Sequence, residues 1–398
     1  MIDAVPSMID CCDRMTAKPR YRTLFLGAGA AMQCGVGQFT RRLGETIEKS
    51  SPGSTTTLTL TRDDGTLAEI WQATGATENI VCNFPIVAWK RVVLLPLLAL
   101  AIARLRGGRV IVIQHEWAGL HRLRRITYMP ALMLADTIVM FSPLVRRELA
   151  ADPIVGWTAG KCVLAPLPPN IEAPAGFGES RLHQRLAAAR ADGRLVIGHF
   201  GSIYPGKQPT ALLGIGAALK ARGLRPLIVY VGSFIRGMDT VEQDFHARAE
   251  ELGLKDDVLV SGYVASVHDV FGLFSAVDAF CYPLDEGLTA RRSSILACVQ
   301  SGRPVIVTGP AEADEFDHHP RFHHLITHGA IVLVPRGADD EAYADAILAA
   351  RARHVVTEKF DFDGWWQDVA RAVQAQLAVT PAAETAPDNA VRIPPAGT

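Results

Sequence analysis

The stretch that decides the fold of this 398-residue chain is Leu195-Val-Ile-Gly-His-Phe-Gly-Ser-Ile-Tyr-Pro-Gly-Lys207. Its apolar half predicts a buried strand, and its glycine-rich half predicts a turn that leads into a helix from about Pro209. Two later runs end in the same way, Leu227-Ile-Val-Tyr-Val-Gly-Ser233 and Val258-Leu-Val-Ser-Gly-Tyr-Val264. Strands that alternate with helices at this spacing are typical of a parallel sheet covered on both faces.

This alternation occurs twice along the chain, which predicts an α/β protein with two Rossmann-like domains that face a cleft. Six strands are predicted in each domain, and the helices predicted in the first are Gly37–Lys49, Val92–Arg106 and Leu144–Ala150. A segment rich in proline and glycine, 166–180, separates the two series. We therefore predict domains at 1–175 and 176–358, a helix within 359–378 that returns to the first domain, and a disordered tail at 379–398.

Composition points to a soluble enzyme without a nucleic-acid partner. The chain has 40 Lys and Arg against 41 Asp and Glu, a formal net charge of -1, so no overall attraction to nucleic acid is expected. Its 7 cysteines form no CxxC pair, which favours reduced thiols over disulfides or a zinc site. The N-terminus has no signal-peptide pattern, and we expect a cytoplasmic protein.

The longest apolar run, Val92–Ala103, is interrupted by Pro96 and covers about half of the roughly 20 residues that span a bilayer. Two interpretations remain open: a helix buried in the domain with solvated arginines, or a helix lying on the inner membrane surface, which would make the protein peripheral there. The basic residues around this run are Lys90, Arg91, Arg104, Arg106, Arg109, His121, Arg122, Arg124 and Arg125.

Two segments of the second domain predict a diphosphate site. Lys207 stands just before a predicted helix, so its ammonium and the following amides face one pocket. The later loop Asp285-Glu-Gly-Leu-Thr-Ala-Arg-Arg-Ser-Ser294 supplies two guanidinium groups and two hydroxyls that bind phosphate oxygens. The carboxyl ends of parallel strands meet at one edge of the sheet, and the ligand predicted there is a nucleotide diphosphate.

With these sequence features, the chain from about Thr23 to Leu377 resembles glycosyltransferases of the GT-B fold, and among them glycosyltransferase family 4. The resemblance rests on Gly35-Val-Gly37, on Gly201 and Lys207, and on Gly302-Arg-Pro-Val305. Where this chain has Gly201 and Lys207, the family pattern is Gly-Arg…Lys-Gly, in which the arginine and the lysine hold the phosphates.

This sequence departs from the family at four positions. Ser202 stands where the arginine is usual and Gln208 where the second glycine is usual, while Thr289 and Ala297 occupy the places of a glutamate pair. The loop instead resembles a variant, Asp-Gly-x-Ser-x-Arg-Arg-x-Ser. Arg291 or Arg292 then supplies the missing positive charge, and only one of the two is expected to face inward.

The resemblance implies a retaining enzyme that moves a hexose from a UDP- or GDP-linked sugar to a lipid-linked or saccharide acceptor, with no metal or other cofactor. Histidines 318, 319, 323, 324 and 328 match no zinc pattern, and no metal site is expected from them. A sugar-nucleotide 2-epimerase and a non-catalytic nucleotide-sugar-binding protein are the alternatives. The expected catalytic residues are His115, Lys207, Arg291 and Arg292; the donor-binding residues are Gly35, Gly37, Gly201, Ser202, Gly232, Ser233, Tyr263, Val264, Glu286, Thr289, Ser293 and Ser294; the acceptor-binding residues are Glu116, Arg122, Arg124 and Arg125.

Overall fold

The computed structural model describes residues 22–29, 35–86, 89, 92–204, 207–235, 240–351, 360–362 and 364–377. This part of the chain forms two α/β domains, each built on a six-stranded parallel sheet, as the alternation of strands and helices predicted. Lys90, Arg91, Cys11, Cys12, Cys34 and the predicted tail 379–398 lie outside the described residues. The described cysteines are free thiols: Cys82, Cys281 and Cys298 are buried, and Cys162 is partly buried.

The first sheet has the strand order β2-β1-β3-β4-β5-β6, and its central strand β3 is buried at all six residues. The strands are β1 (Thr23–Gly27), β2 (Thr55–Thr59), β3 (Asn79–Phe84), β4 (Arg109–Gln114), β5 (Thr137–Met140) and β6 (Cys162–Leu164). The helices are α1 (Gly35–Ser50), α2 (Leu67–Gly75), α3 (Leu94–Leu105), α4 (Arg122–Leu134) and α5 (Pro143–Ala150).

Two helices of this domain, α2 and α4, were missing from the sequence prediction. A capping box starts α2, in which Thr66 and Glu69 satisfy each other's backbone N–H groups. An internal proline, Pro130, lies in α4, and apolar residues such as Leu123 and Ile126 face outward there. These outward residues obscure the helical period on which the prediction depended.

The second sheet has the order β12-β11-β10-β7-β8-β9. Its strands are β7 (Leu195–Phe200), β8 (Pro226–Val231), β9 (Val258–Val260), β10 (Ala279–Tyr282), β11 (Val305–Thr308) and β12 (Ile331–Val334). The helices are α6 (Arg181–Ala191), α7 (Ala211–Ala221), α8 (Val241–Glu251), α9 (Val267–Ser275), α10 (Ser293–Val299), α11 (Pro320–Thr327) and α12 (Asp340–Arg351).

The last described helix, α13 (Gly364–Leu377), contacts both domains through two adjacent tryptophans. Trp366 packs in one core with Phe39 and Leu43 of α1, so α13 covers a face of the first domain. Trp365 instead belongs to the core of the second domain, where it contacts His319 with ring centroids 5.0 Å apart.

Side chains from 314–319 join the two domains directly. Ser142 donates a 2.7 Å hydrogen bond to Glu315, and Arg147 forms an ion pair with Asp314. The histidine-rich segment serves this interface: Nε2 of His318 lies 3.1 Å from the carbonyl of Phe141, and Nε2 of His319 lies 3.3 Å from that of Leu167. Within the described residues, no group of three or more His, Cys, Asp or Glu is placed to hold a metal ion.

Candidate active site

The cleft between the domains contains two adjoining cavities of about 210 and 230 Å³ that share Val36, His115 and Arg291. Both domains, the segment 167–170 and α13 contribute to their walls. Taken together, the two cavities are lined by Gly35, Val36, Phe39, Arg42, Pro85, His115, Glu116, Leu167, Pro168, Pro169, Asn170, Arg291, Arg292, Ser293 and Trp366.

His115 is the titratable residue of the first domain that lies in both cavities. It follows β4, and its ring packs between Phe39 and Phe141, with centroid distances of 5.2 and 4.9 Å. Its Nε2 lies 3.3 Å from Oδ1 of Asn83 at the end of β3. Burial lowers the pKa of His115 to about 3, so the ring is neutral at physiological pH and offers one donor and one acceptor nitrogen.

Lys207 lies at the carboxyl edge of the second sheet, against Gly201, which in turn packs against Gly232. A Cβ on Gly201 would come within 2.6 Å of the Lys207 ammonium, and a Cβ on Gly232 would come within 2.1 Å of the Gly201 carbonyl oxygen. Only glycine at both positions admits this packing. Gly201, with a φ of 124°, therefore makes room for Lys207, and Gly232 lets the backbone of Gly201 approach closely.

The ammonium of Lys207 lacks a carboxylate partner in the described residues. Burial, and to a lesser degree the neighbouring Arg292, lowers the pKa of Lys207 to about 8. Beneath it, burial lowers the pKa of His199 to about 3, so this ring adds no positive charge. An enclosed cation without a counter-ion is a site prepared for an anion.

Gln208, which follows Lys207, accounts for one departure from the family pattern. Its φ is 47°, the left-handed conformation that glycine adopts most readily, and the family has glycine at this position. Its side-chain amide donates to the carboxylate of Asp285 in the arginine-bearing loop. The turn after Lys207 thus keeps its conformation although the glycine is absent.

The loop between β10 and α10 places both adjacent arginines in the cleft, so the expectation that only one faces inward is wrong. Arg291 and Arg292 both line the 230 Å³ cavity, and both contact the carboxylate of Glu286. Gly287 has a φ of 76°, and a Cβ there would meet the carbonyl oxygen of Gly309 at 2.2 Å. This close approach lets the loop turn back toward the arginines.

The other predicted donor residues are dispersed around this edge. Ser293 lines the 210 Å³ cavity and Thr289 is buried, with its hydroxyl unpaired among the described residues. Ser233 instead lines a separate cavity of about 810 Å³ between α8 and β9. Ser202 and Tyr263 are exposed, and Val264 packs against the core; Ser294 lies in the first turn of α10.

Gly35 and Gly37 occupy a different local structure from the expected one. They lie in the first turn of α1, which begins at Gly35, and not in a turn that precedes the helix. Gly35 borders the 210 Å³ cavity, and a Cβ there would meet no described atom within 4 Å. The start of α1 therefore borders the cleft.

Only one predicted acceptor residue lies in these cavities. Glu116 lines the 230 Å³ cavity beside His115. Arg122, Arg124 and Arg125 belong to the first turn of α4, and the described lining of the two cavities does not include them. The structure therefore does not bring the basic cluster to the cleft.

Three lining or supporting residues were missed by sequence reasoning. Asn83 is fully buried beside His115, and its position as a polar residue inside the apolar strand β3 was a usable signal. Trp366 and Arg42 form one wall of the 210 Å³ cavity, with the Arg42 guanidinium 4.8 Å from the indole centroid. The sequence predicted that this helix returns to the first domain, but not that Trp366 would meet Arg42 there.

Comparisons with known proteins agree with this geometry. Residues 194–353 match the family model described as "Glycosyl transferases group 1". No curated protein matches the sequence of this chain. Three solved structures show the same fold.

HepE from Anabaena, in complex with UDP and glucose, superposes with a TM-score of 0.56 and 16% identity over 89% of this chain and 100% of its own. Sucrose-phosphate synthase from Thermosynechococcus elongatus gives a TM-score of 0.55 and 18% identity over 89% and 98% of the two chains. An alpha-glucosyltransferase in complex with UDP-glucose and DNA containing an abasic site gives 0.50 and 12% over 90% and 98%.

Two facing Rossmann-like domains with a cation-lined cleft define the GT-B class of glycosyltransferases. The chain is a glycosyltransferase of this fold, and residues 194–353 carry its group 1 domain.

Proposed function

We propose that the chain transfers a hexose, with retention of anomeric configuration, from a UDP- or GDP-linked sugar to a lipid-linked or saccharide acceptor in polysaccharide or glycolipid assembly. The observation that carries the proposal is the arrangement across the cleft. Arg291 and Arg292 of the second domain share a cavity with His115 and Glu116 of the first. A donor held by its diphosphate on the second domain thereby presents its sugar to the first.

In the proposed reaction, the bond between the anomeric carbon and the diphosphate breaks while the acceptor oxygen bonds to the same face of the sugar. The proton of the acceptor hydroxyl passes to the leaving phosphate oxygen. Lys207 and the two arginines stabilise the negative charge that grows on the diphosphate. His115, neutral with a pKa of about 3, hydrogen-bonds the sugar and transfers no proton. These protein cations perform the electrostatic role, and we propose that the reaction needs no metal.

The decisive experiment is incubation with a panel of nucleotide sugars, with and without lipid-linked and free saccharide acceptors. UDP sugars come first, because HepE and the alpha-glucosyltransferase were crystallised with UDP or UDP-glucose. Acceptor-dependent release of a nucleoside diphosphate, with an NMR spectrum of the product showing the donor's anomeric configuration, supports the proposal. Conversion of the donor to its 2-epimer without acceptor, or binding without turnover, would contradict it.

We also propose that the first domain rests on an anionic membrane surface at the cytoplasmic side, through the outer faces of α2, α3 and α4. Eight exposed large apolar side chains of the described chain lie on these three helices: Leu67, Trp71, Leu94, Leu98, Leu105, Leu123, Ile126 and Met133. The sequences of α3 and α4 contain four arginines and no Asp or Glu. Apolar residues with arginines suit the headgroup region of an anionic bilayer.

The burial of α3 is one-sided. The inner side of α3 is buried, at Pro96, Ala99, Leu100 and Ala103, while its outer side remains open to a partner. No helix of the described residues has the length and apolarity required to cross a bilayer. The proposed contact is therefore peripheral.

Vesicle flotation tests this contact with matched variants. We expect the wild type to float with phosphatidylglycerol vesicles and much less with phosphatidylcholine. The double variant Leu94→Ser/Leu123→Ser should lose this binding, because each exposed leucine contributes apolar area to the insertion. Phe177→Ser/Ile235→Ser removes two exposed apolar side chains elsewhere and should keep it. Equal binding by both double variants would refute the assignment of this face.

A further inference from the structure

We propose that Glu286 is an internal counter-ion that occupies the arginine pair of the donor loop until a diphosphate displaces it. The proposal rests on the proposed function of the cleft and adds a positioning residue that controls how tightly the diphosphate is held. The loop concerned joins β10 to α10.

Glu286 contacts the two arginines through separate carboxylate oxygens. Nη2 of Arg291 donates a 3.1 Å hydrogen bond to Oε2, and Nη2 of Arg292 forms an ion pair with Oε1. The side chains of Arg291 and Arg292 are 22% and 14% exposed, against 34% for Glu286. The carboxylate is thus the most accessible member of the cluster and the one that an incoming anion can replace.

The backbone around Glu286 is held in place, so the side chain must make the movement. The amide of Gly287 donates a 3.1 Å hydrogen bond to the carbonyl of Leu284, and the amide of Leu288 donates a 2.9 Å bond to that of Thr308 in β11. Leu288 is fully buried. Rotation of the Glu286 side chain releases both guanidinium groups without disturbing these bonds.

The charges in the cleft explain why such a counter-ion is useful. Arg292 is close enough to Lys207 to contribute to the lowering of the lysine pKa. Three cations without a partner would repel each other in the free protein, and Glu286 neutralises part of this charge. Phosphate and carboxylate oxygens bind the same guanidinium donors, so the two anions compete.

This competition acts at both ends of the reaction cycle. An arriving donor diphosphate takes the arginines from Glu286, and part of its binding energy is spent on that exchange. After transfer, the return of Glu286 to the arginines helps to release the nucleoside diphosphate product. Removal of the carboxylate charge should therefore tighten the product complex and slow turnover.

The test compares Glu286→Gln with Asp285→Asn by calorimetric titration of UDP, GDP and inorganic pyrophosphate. Asp285 is the adjacent acid of the same loop, and its carboxylate is paired with Gln208 and not with an arginine of the cleft. We expect Glu286→Gln to lower the Kd of UDP and pyrophosphate about threefold to tenfold, and Asp285→Asn to change it by less than about twofold. Unchanged thermal unfolding of both variants shows that the fold is retained.

Steady-state kinetics distinguish the proposed role of Glu286 from a purely structural one. Under the proposal, Glu286→Gln lowers the product-inhibition constant of UDP and lowers kcat, without raising KM for the donor. A wild type that binds UDP while Glu286→Gln binds it no more tightly would overturn the inference. An equal gain in UDP affinity from Asp285→Asn would also overturn it. Such a gain would show that the net charge of the loop, and not the contact of Glu286 with the arginines, controls how tightly UDP binds. A wild type that binds neither UDP, GDP nor pyrophosphate would instead overturn the proposed function itself.

Discussion

Lys207 is an enclosed ammonium whose charge is unfavourable in the free protein, and we expect a bound diphosphate to stabilise it. A reduction of its pKa from 10.5 to about 8 corresponds to about 3 kcal/mol against the charged form. The residue is partly exposed, so solvent reduces this cost, and we expect between about 1 and 3 kcal/mol. Lys207→Met should raise the free energy of unfolding at pH 7 by that amount.

The pH dependence of stability tests the direction of the Lys207 pKa shift independently. Between pH 8 and 10.5 the native lysine has lost its proton and the unfolded lysine has not, so the unfolded state binds more protons. Wild-type stability should therefore gain a favourable contribution from this group as pH rises through that range, and Lys207→Met should lack it. Lys49→Met removes an exposed lysine at the end of α1 and is the matched control.

Ligand binding reverses this effect, because a diphosphate stabilises the ammonium form. At pH 8, where half of the free protein is deprotonated at Lys207, UDP binding should take up about half a proton. The terminal phosphate of UDP titrates near about 6 and does not contribute at this pH. Titration calorimetry in two buffers of different ionisation enthalpy measures the uptake. UDP binding by the wild type without proton uptake, or a Lys207→Met variant that is no more stable than the wild type, would refute the reasoning.

Three further predictions concern the same edge of the cleft. In thermal unfolding, Gly287→Ala should destabilise the protein more than Gly337→Ala does. Both glycines have a φ of 76°, but of the two only Gly287 has a backbone atom in the way of a Cβ, the Gly309 oxygen at 2.2 Å. Equal losses of stability would contradict this. An added glycine usually lowers the free energy of unfolding by roughly 0.5–1 kcal/mol, but Gln208→Gly should not, because φ is already 47° and glycine relieves the strain there. A full loss in denaturant unfolding would count against this left-handed conformation. His115→Ala should lower turnover without removing any step from the pH–rate profile between pH 5 and 8, because the ring is neutral above a pKa of about 3; a step in that range that disappears in the variant would show the opposite.

The sequence predicted the second-domain part of the site better than the first-domain part. Lys207 and the 291–292 pair follow strands of one parallel sheet, and the carboxyl ends of such strands share an edge, so their proximity follows from topology. The register that places both arginines beside Glu286 depends on the turn at Gly287, which sequence patterns do not specify.

The first-domain wall of the cleft was largely beyond sequence reasoning. The contact between Arg42 and Trp366 joins residues far apart in the chain, and only the docking of α13 creates it. The basic residues Arg122, Arg124 and Arg125 were misplaced for the opposite reason. Their charge resembled a ligand site, but they lie in the first turn of α4 and are not among the described lining residues of the cavities.

The two neighbouring tryptophans of α13 have a consequence for synthesis on the ribosome. The face of the first domain that receives Trp366 is completed only by residues near the C-terminus, so this domain cannot finish its core when its own strands have emerged. At about 5–20 residues per second, the remaining chain takes on the order of 10–40 s to appear. Trp365 of the same helix belongs to the core of the second domain, so both domains complete their cores only when α13 has emerged, and the first domain waits the longer of the two.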